Sequence, residues 1–174
     1  YIMKKIIWTL ASLIVAVFGV YFFNYFTLTK PVLEDVSKDV RNNGIEIGLH
    51  FKNYISTETL VFDLKKVPED KAIADVFRVL LQTSSVLKDE KFENVELSYN
   101  GESKFVLKGD YFSELGKEYE DQNPMYTMRT FPEHIYDMNG KTVYTVWDGG
   151  VLGVLTNQIE DFKDFNSKWY LENN

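Results

Sequence analysis

The feature that most constrains this chain is a long uncharged segment near its N-terminus, from Ile6 to Thr29. Two lysines precede this segment, and Lys30 and Pro31 follow it. An α-helix rises about 1.5 Å per residue, so roughly 20 apolar residues cross a hydrocarbon layer of about 30 Å. The segment is long enough to cross a bilayer, and we therefore predict a single transmembrane anchor over residues 1–30.

The charges and aromatic residues around this segment predict how it lies in a membrane. Basic residues favour the cytoplasmic side, and Lys4 and Lys5 are at the N-terminal end. We expect a cytoplasmic N-terminus in a bacterial inner (cytoplasmic) membrane, with the C-terminal domain in the periplasm or outside the cell. Aromatic side chains settle at both membrane interfaces, which fits Trp8 at one end and the aromatic stretch 21–26 at the other.

A cleaved secretory signal is the alternative interpretation, since it also combines a basic start with an apolar region. The apolar run here exceeds the 7–15 residues of such a region, and no A-x-A cleavage sequence follows it. Both observations favour an uncleaved signal anchor. A lipid-modified cysteine is excluded, because the chain contains no cysteine.

Three small residues on one face of the predicted helix indicate where a second membrane helix would pack. Ser12, Ala16 and Gly19 follow one another at i, i+4 and i+7, and small residues allow two helix backbones to approach closely. The alternative is that these residues are incidental, since any long apolar segment contains a few small side chains.

The charge of the remaining chain restricts its partners. Three of the 19 Lys and Arg residues flank the anchor, which leaves 16 positive against 26 negative charges, a net of about −10, in residues 31–174. Such an acidic domain repels phosphate backbones and anionic headgroups, so we expect no nucleic-acid partner and no domain lying flat on a membrane. The lack of cysteine also removes disulfides and thiolate metal sites.

After Pro31 the sequence pattern predicts a stalk helix at 31–44 and one α+β domain over residues 45–174. Residues 45–52 alternate apolar and polar side chains, as in a half-buried strand, and a second strand is predicted at 58–66. The period then changes from two to about 3.6, which predicts an amphipathic helix at 69–87.

Two Asn-Gly pairs, Asn100-Gly101 and Asn139-Gly140, predict further hairpins, because both residues accept positive φ. The strands that they would join are residues 95–99 with 103–108 and residues 135–138 with 142–147. A helix is predicted after each hairpin, and Met125–Phe131 is predicted to be extended. The predicted fold is an α+β domain of antiparallel hairpins, in three ββα-like units, with helices packed on the sheet.

The sequence contains no motif that indicates a cofactor or a catalytic nucleophile. The phosphate-binding, dinucleotide-binding and G-x-S-x-G patterns are missing, and we expect no cofactor. Glu133, His134 and Asp137 form a local group that could bind a metal or act in hydrolysis, but their spacing matches no usual zinc motif. A structural or solvent-facing role is the favoured interpretation of these three residues.

Arg129 is one of three arginines in this acidic chain, and it lies between Tyr126 and Phe131. Arginine and aromatic side chains contribute much of the binding energy in protein interfaces, so these three residues are candidates for contact with a partner. An internal ion pair for the arginine and core packing for the rings are the alternatives.

Together these features predict a non-enzymatic, membrane-anchored accessory or interaction subunit of a bacterial envelope protein complex. Its acidic extracytoplasmic domain would bind another membrane or envelope protein. A small-ligand-binding module with an aromatic cleft between sheet and helices is the alternative. A carboxylate-dependent hydrolase is the third hypothesis.

Overall fold

The computed structural model describes residues 2–173, so the first residue of the predicted anchor and the last residue of the predicted domain lie outside the described residues. In chain order the helices and strands are α1 (Ile2–Asn24), α2 (Lys30–Val36), β1 (Glu46–Lys52), β2 (Ser56–Lys66), α3 (Ile73–Val86), β3 (Asn94–Tyr99), β4 (Glu102–Lys108), α4 (Gly109–Glu118), α5 (Pro124–Thr130) and α6 (Val151–Trp169). The fold is α+β, as predicted, with a long apolar helix at its N-terminal end.

The four strands form one mixed sheet in the order β1-β2-β3-β4. The pairs β1–β2 and β3–β4 are antiparallel, and the turn Asn100-Gly101 joins β3 to β4 with φ values of +50° and +86°. β2 and β3 run parallel, so the prediction of a purely antiparallel sheet is wrong at this pair. The reason is that α3 carries the chain from the end of β2 back to the start of β3, and such a crossover produces parallel strands.

The third predicted pair of strands, around Asn139-Gly140, is reduced in the described structure to an isolated antiparallel bridge between Tyr136 and Thr142, without a regular strand. Only Tyr136 reaches the sheet, through an isolated antiparallel bridge to Val106 of β4. The next residues are held by α6 instead, since the Tyr144 hydroxyl donates to Asp164 at 2.8 Å. The residues after the turn therefore follow α6 rather than the edge of the sheet, and the prediction of a third ββα-like unit is not confirmed.

The segment Met125–Phe131, predicted to be extended, forms α5 and the turn after it. Asn123 precedes the helix, and its side-chain oxygen accepts a hydrogen bond from the backbone N–H of Met125 at 2.9 Å. Pro124 then occupies the first helical turn, where its missing N–H costs nothing. Asn123-Pro124 is thus a helix start, because an asparagine cap and a first-turn proline act together.

The core lies between the sheet and the helices packed on one of its faces. Leu60, Phe62 and Leu64 of β2 are all fully buried. The ring of Trp169 in α6 lies 5.9 Å from that of Phe62, and its indole N–H donates to the backbone oxygen of Ser98 at 3.1 Å. Burial of each such side chain contributes about 1.5–3 kcal/mol, so this layer holds α6 on the sheet.

α3 and α4 approach each other closely at Gly116. A β-carbon at this position would lie 2.2 Å from the backbone oxygen of Ser84, which no side chain could tolerate without displacement of a helix. The Ser113 hydroxyl also donates to the backbone oxygen of Lys88 at 2.6 Å. Glycine therefore sets the distance between these two helices.

Candidate functional site at the helix–domain junction

The N-terminal helix and the domain share one continuous element. α1 leads into a π-helical turn, Tyr25–Thr29, and this turn leads directly into α2. Among the described residues, one helix, Met3–Val36, has the length and composition to cross a membrane, and an N-terminal signal sequence would meet the same criteria. The predicted boundary at residue 30 therefore falls inside a single helix.

The C-terminal part of this helix belongs to the domain core. Leu28 and Val32 are fully buried and Val36 nearly so, and all three join the same apolar cluster as the sheet residues. Phe23 lies one turn before Leu28, and its ring stacks on Phe51 of β1 at 5.7 Å. The residues assigned to a stalk thus begin with a helix that is packed against the domain.

Asn24 is the polar residue that fixes the helix to the domain. It is 2% exposed, and its side-chain amide donates to the backbone oxygens of Val20 and Tyr54, each at 2.8 Å. Its side-chain oxygen accepts from the backbone N–H of Phe51 at 2.7 Å. The Asn24 side chain therefore uses both its donor and its acceptor groups at the end of β1.

Thr29 provides a second polar contact to the same strand. Its hydroxyl donates to the backbone oxygen of Leu49 at 2.8 Å. β1 is an edge strand, and edge strands carry unpaired backbone groups that invite association with other chains. Asn24 and Thr29 occupy such groups on β1, so the helix protects this edge.

The π-helical turn explains how Asn24 and Thr29 reach one strand together. Five residues of α-helix turn through about 500°, which would leave these two side chains about 140° apart. The i→i+5 hydrogen bonding of a π-helix places residues five apart nearly above each other. The wide turn at Tyr25–Thr29 therefore aligns both side chains with β1.

The turn between β1 and β2 lies beside the apolar helix. Asn53 and Tyr54 both have positive φ, 52° and 64°, which is uncommon for residues other than glycine. The Tyr54 ring stacks on His50 at 4.5 Å, and Ile55 is 71% exposed.

An apolar groove follows this turn along α1. Tyr54 and four residues of the helix line it, and its volume is about 380 Å³. The lining residues of the helix are Ala16, Val17, Val20 and Tyr21.

The three small residues predicted to pack against another membrane helix are exposed on α1. Ser12 donates its hydroxyl hydrogen to the backbone oxygen of Thr9 at 2.8 Å, and nothing lies within 4 Å of a β-carbon built on Gly19. Ala16 faces the groove beside Tyr54. The face formed by these residues is open, and its contact with a second helix stays a prediction.

The three residues predicted to contact a partner separate in the structure. Tyr126 is about half exposed, and the Arg129 guanidinium lies 5.9 Å from its ring centre. Phe131 is fully buried, with its ring 4.9 Å from Phe77 and 5.3 Å from Phe165. The assignment of Phe131 to a partner-binding surface is therefore wrong, because this ring is a central part of the core.

The local group of Glu133, His134 and Asp137 does not converge on a site. The Glu133 carboxylate accepts from Gln158 at 2.8 Å, and the His134 ring stacks on Tyr111 at 3.7 Å. The Asp137 carboxylate accepts from the backbone of its own turn. Within residues 2–173, no group of three His, Cys, Asp or Glu side chains is arranged to hold a metal ion.

A separate cleft of about 290 Å³ opens between α3, α4 and α5. Its walls include the apolar side chains of Phe77, Leu81, Leu115 and Met128. It lies between helices, whereas the predicted ligand site was a cleft between helices and sheet.

The two arginines of this cleft are both engaged by carboxylates. Arg41 donates to Asp39 at 2.6 Å and Arg78 donates to Asp75 at 2.8 Å. Hydrogen bonds from the Arg41 side chain hold the pKa of Asp39 well below its usual range. The cleft therefore offers mainly apolar contacts to a ligand.

Apolar side chains are also exposed in the segment before α6 and in the first turn of this helix. Val146 is 68% exposed, Val151 74% and Leu152 81%. The neighbouring Trp147 is held in place, because its indole N–H donates to Asp161 of α6 at 2.6 Å. We call Val146, Val151 and Leu152 the α6 apolar surface.

Sequence reasoning missed the role of Asn24 and the exposure of the α6 apolar surface. The available signal for the role of Asn24 was a single asparagine inside an apolar and aromatic run, since a buried amide requires partners.

Comparison with protein-family models, curated proteins and solved structures gives no match to this chain.

Proposed function

We propose that this protein is a non-enzymatic, single-pass membrane subunit that binds a protein partner in a bacterial envelope complex. The observation that carries the proposal is the junction, where one helix serves as both an apolar segment and a part of the domain core. Such a helix holds a domain close to a membrane and in a defined orientation. These properties suit a subunit that presents a binding surface to a membrane neighbour.

The apolar surface of α1 supports the membrane part of the proposal. Leu10, Leu13, Val15 and Phe18 are all more than half exposed, and they point in different directions around the helix. A helix that is apolar on all sides needs an apolar surrounding. In the proposed topology, Lys4 and Lys5 face the cytoplasm and the domain lies outside it.

The α6 apolar surface supports the partner-binding part of the proposal. Leu152 and Val151 are among the most exposed large apolar side chains outside α1. Exposed clusters of apolar side chains mark interaction sites in soluble domains. Val151 and Leu152 lie in the first turn of α6, and the later turns of this helix are anchored in the core through Phe162 and Trp169.

Site-specific photo-crosslinking in native membranes tests this proposal. We expect a photoreactive residue at Leu152 to crosslink to one defined membrane or envelope protein, and Leu152→Asp to abolish its co-purification. The matched control is Lys163, an exposed position on the same helix, where no crosslink to that protein is expected. Absence of any stoichiometric partner in mild detergent, together with no crosslink at Leu152, refutes the proposal.

Ligand binding in the cleft between α3, α4 and α5 is the second candidate function. Its volume and its apolar walls favour a small apolar molecule. We expect ligands from a library of such molecules to raise the melting temperature. Ala74→Trp, at an exposed position in the cleft lining, would remove that shift. A shift that persists in the variant rules out this cleft.

A further inference from the structure

We infer that the turn between β1 and β2 is a second membrane contact, with Tyr54 and Ile55 inserted at the boundary between lipid headgroups and acyl chains. This inference rests on the proposed transmembrane topology. The domain would then touch the bilayer at two places, the helix and the turn, and its orientation would be fixed by both.

The depth of the turn follows from the length of the helix. Counting about 20 residues from Ile6 at 1.5 Å per residue places the far boundary of the hydrocarbon layer near Asn24. The Asn24 amide donates to the backbone oxygens of both Val20 and Tyr54 at 2.8 Å. Val20 lies four residues, about 6 Å, on the membrane side of Asn24. The backbone of Tyr54 is therefore at the membrane boundary.

The groove beside the turn extends farther into the proposed membrane region. Tyr54 lines it together with Ala16, Val17, Val20 and Tyr21. Ala16 lies eight residues, about 12 Å, on the membrane side of Asn24. A groove at this depth faces acyl chains, so its occupant is a lipid chain lying between the turn and the helix.

The chemistry of the turn suits an interface. Tyrosine combines an apolar ring with a polar hydroxyl and is enriched where membrane meets water, and isoleucine favours the acyl chains. Although the domain carries a net charge of about −10, residues 47–57 contain no Asp or Glu. The nearby Lys52 pairs with Glu96 at 2.5 Å. The repulsion expected between an acidic domain and anionic headgroups is therefore reduced at this turn.

The conformation of the turn is fixed before it meets lipid. The positive φ values of Asn53 and Tyr54 are unfavourable and persist only where surrounding contacts enforce them. Those contacts are the Asn24 hydrogen bond to the Tyr54 backbone and the stacking of its ring on His50. The side chain of Ile55 is left 71% exposed at the tip. Its exposure is explained if lipid covers it.

Spin labels on single cysteines test the inference directly, because the natural chain has no cysteine. The labelled variants of the full chain are Ile55→Cys, Val15→Cys and Glu102→Cys, each reconstituted in vesicles of phosphatidylcholine and phosphatidylglycerol. Val15 is 70% exposed on α1 and is the reference for lipid. Glu102 lies after the β3–β4 turn, at the opposite end of the sheet, because β3 is parallel to β2. It is the reference for water.

The readout is the accessibility of each label to oxygen, which concentrates in lipid, and to a water-soluble nickel chelate. We expect the oxygen-to-nickel ratio at Ile55 to be severalfold higher than at Glu102 and below that at Val15. A ratio at Ile55 equal to that at Glu102, with Val15 in lipid, overturns the inference and leaves the topology intact. A water-like ratio at Val15 refutes the topology itself. Low accessibility of Ile55 to both probes would indicate a protein contact there, which also overturns the inference.

Discussion

Replacing Asn24 by alanine should weaken the attachment of the helix to the domain. The change removes three hydrogen bonds, one from the Phe51 N–H and two from the Asn24 amide to the oxygens of Tyr54 and Val20. It leaves the buried N–H of Phe51 without this partner, whereas Tyr54 is 45% exposed and its backbone oxygen lies in a part-buried position. A buried polar group that loses its partner costs about 1–3 kcal/mol. The part-buried hydrogen bond to Tyr54 adds about 0.5–1.5 kcal/mol, so we expect the free energy of unfolding to fall by about 2–4 kcal/mol.

The assay is thermal unfolding of the full chain in lipid nanodiscs, combined with hydrogen exchange of the peptide that contains Phe51. For a chain of this size, 1 kcal/mol lowers the melting temperature by about 2–4 °C, so the expected decrease is on the order of 10 °C. Exchange of the Phe51 amide should accelerate, because its acceptor is lost. Thr29→Val, which removes the single bond to Leu49, should cost about 0.5–1.5 kcal/mol.

The matched control is Asn43→Ala, since the Asn43 side chain is exposed. Its effect should stay within about 0.5 kcal/mol. If Asn24→Ala and Asn43→Ala unfold at the same temperature, and the Phe51 amide exchanges at an unchanged rate, then Asn24 does not join the helix to β1. The helix and the domain would then not behave as one unit.

Two further predictions concern packing and pH. Gly116→Ala should lower the free energy of unfolding by several kcal/mol or prevent folding, because its β-carbon would lie 2.2 Å from the backbone oxygen of Ser84. Gly153→Ala, in open space on α6, should instead raise the free energy of unfolding by about 0.5–1 kcal/mol. Equal melting temperatures for these two variants would contradict the close approach of α3 and α4. Burial lowers the pKa of His134 below its ordinary value of about 6.5, so the unfolded state binds more protons. The free energy of unfolding should therefore fall as pH decreases from about 6.5 through the lowered pKa. His134→Phe should reduce this loss, which urea titrations at several pH values measure. The same pH profile in the variant and the natural chain would contradict a role for His134.

Local patterns were sufficient to predict much of the sheet and the long helix. The alternation around Leu49 and Phe51 predicted β1 and its buried face, and both residues are 4% exposed. The apolar period after Pro68 predicted α3, which begins at Ile73. The Asn100-Gly101 turn was predicted from its tolerance of positive φ and is confirmed. These features depend on residues that are neighbours in sequence.

The features that sequence reasoning missed depend on contacts between distant residues. The parallel pairing of β2 and β3 is set by where α3 returns the chain. Asn24 binds the Tyr54 backbone, which lies 30 residues away, and no local pattern marks that partner. Phe131 was interpreted as surface because it follows an arginine, although its ring packs against α3 and α6. For the candidate site, sequence indicated the helix but could not indicate its attachment.

In the proposed topology, the continuous helix makes the orientation of the domain depend on bilayer thickness. A helix whose apolar length exceeds the local thickness tilts to match it. If a hydrocarbon layer of about 30 Å thins to about 27 Å, a helix whose apolar length equals the original thickness tilts by roughly 25°. No flexible linker separates α1 from the core residues Leu28 and Val32, so the domain would tilt by the same angle. Over a domain about 30 Å across, its outer end would move on the order of 10 Å. In the proposed topology, the lipid composition of the membrane would thus determine the height and angle at which the α6 apolar surface meets its partner.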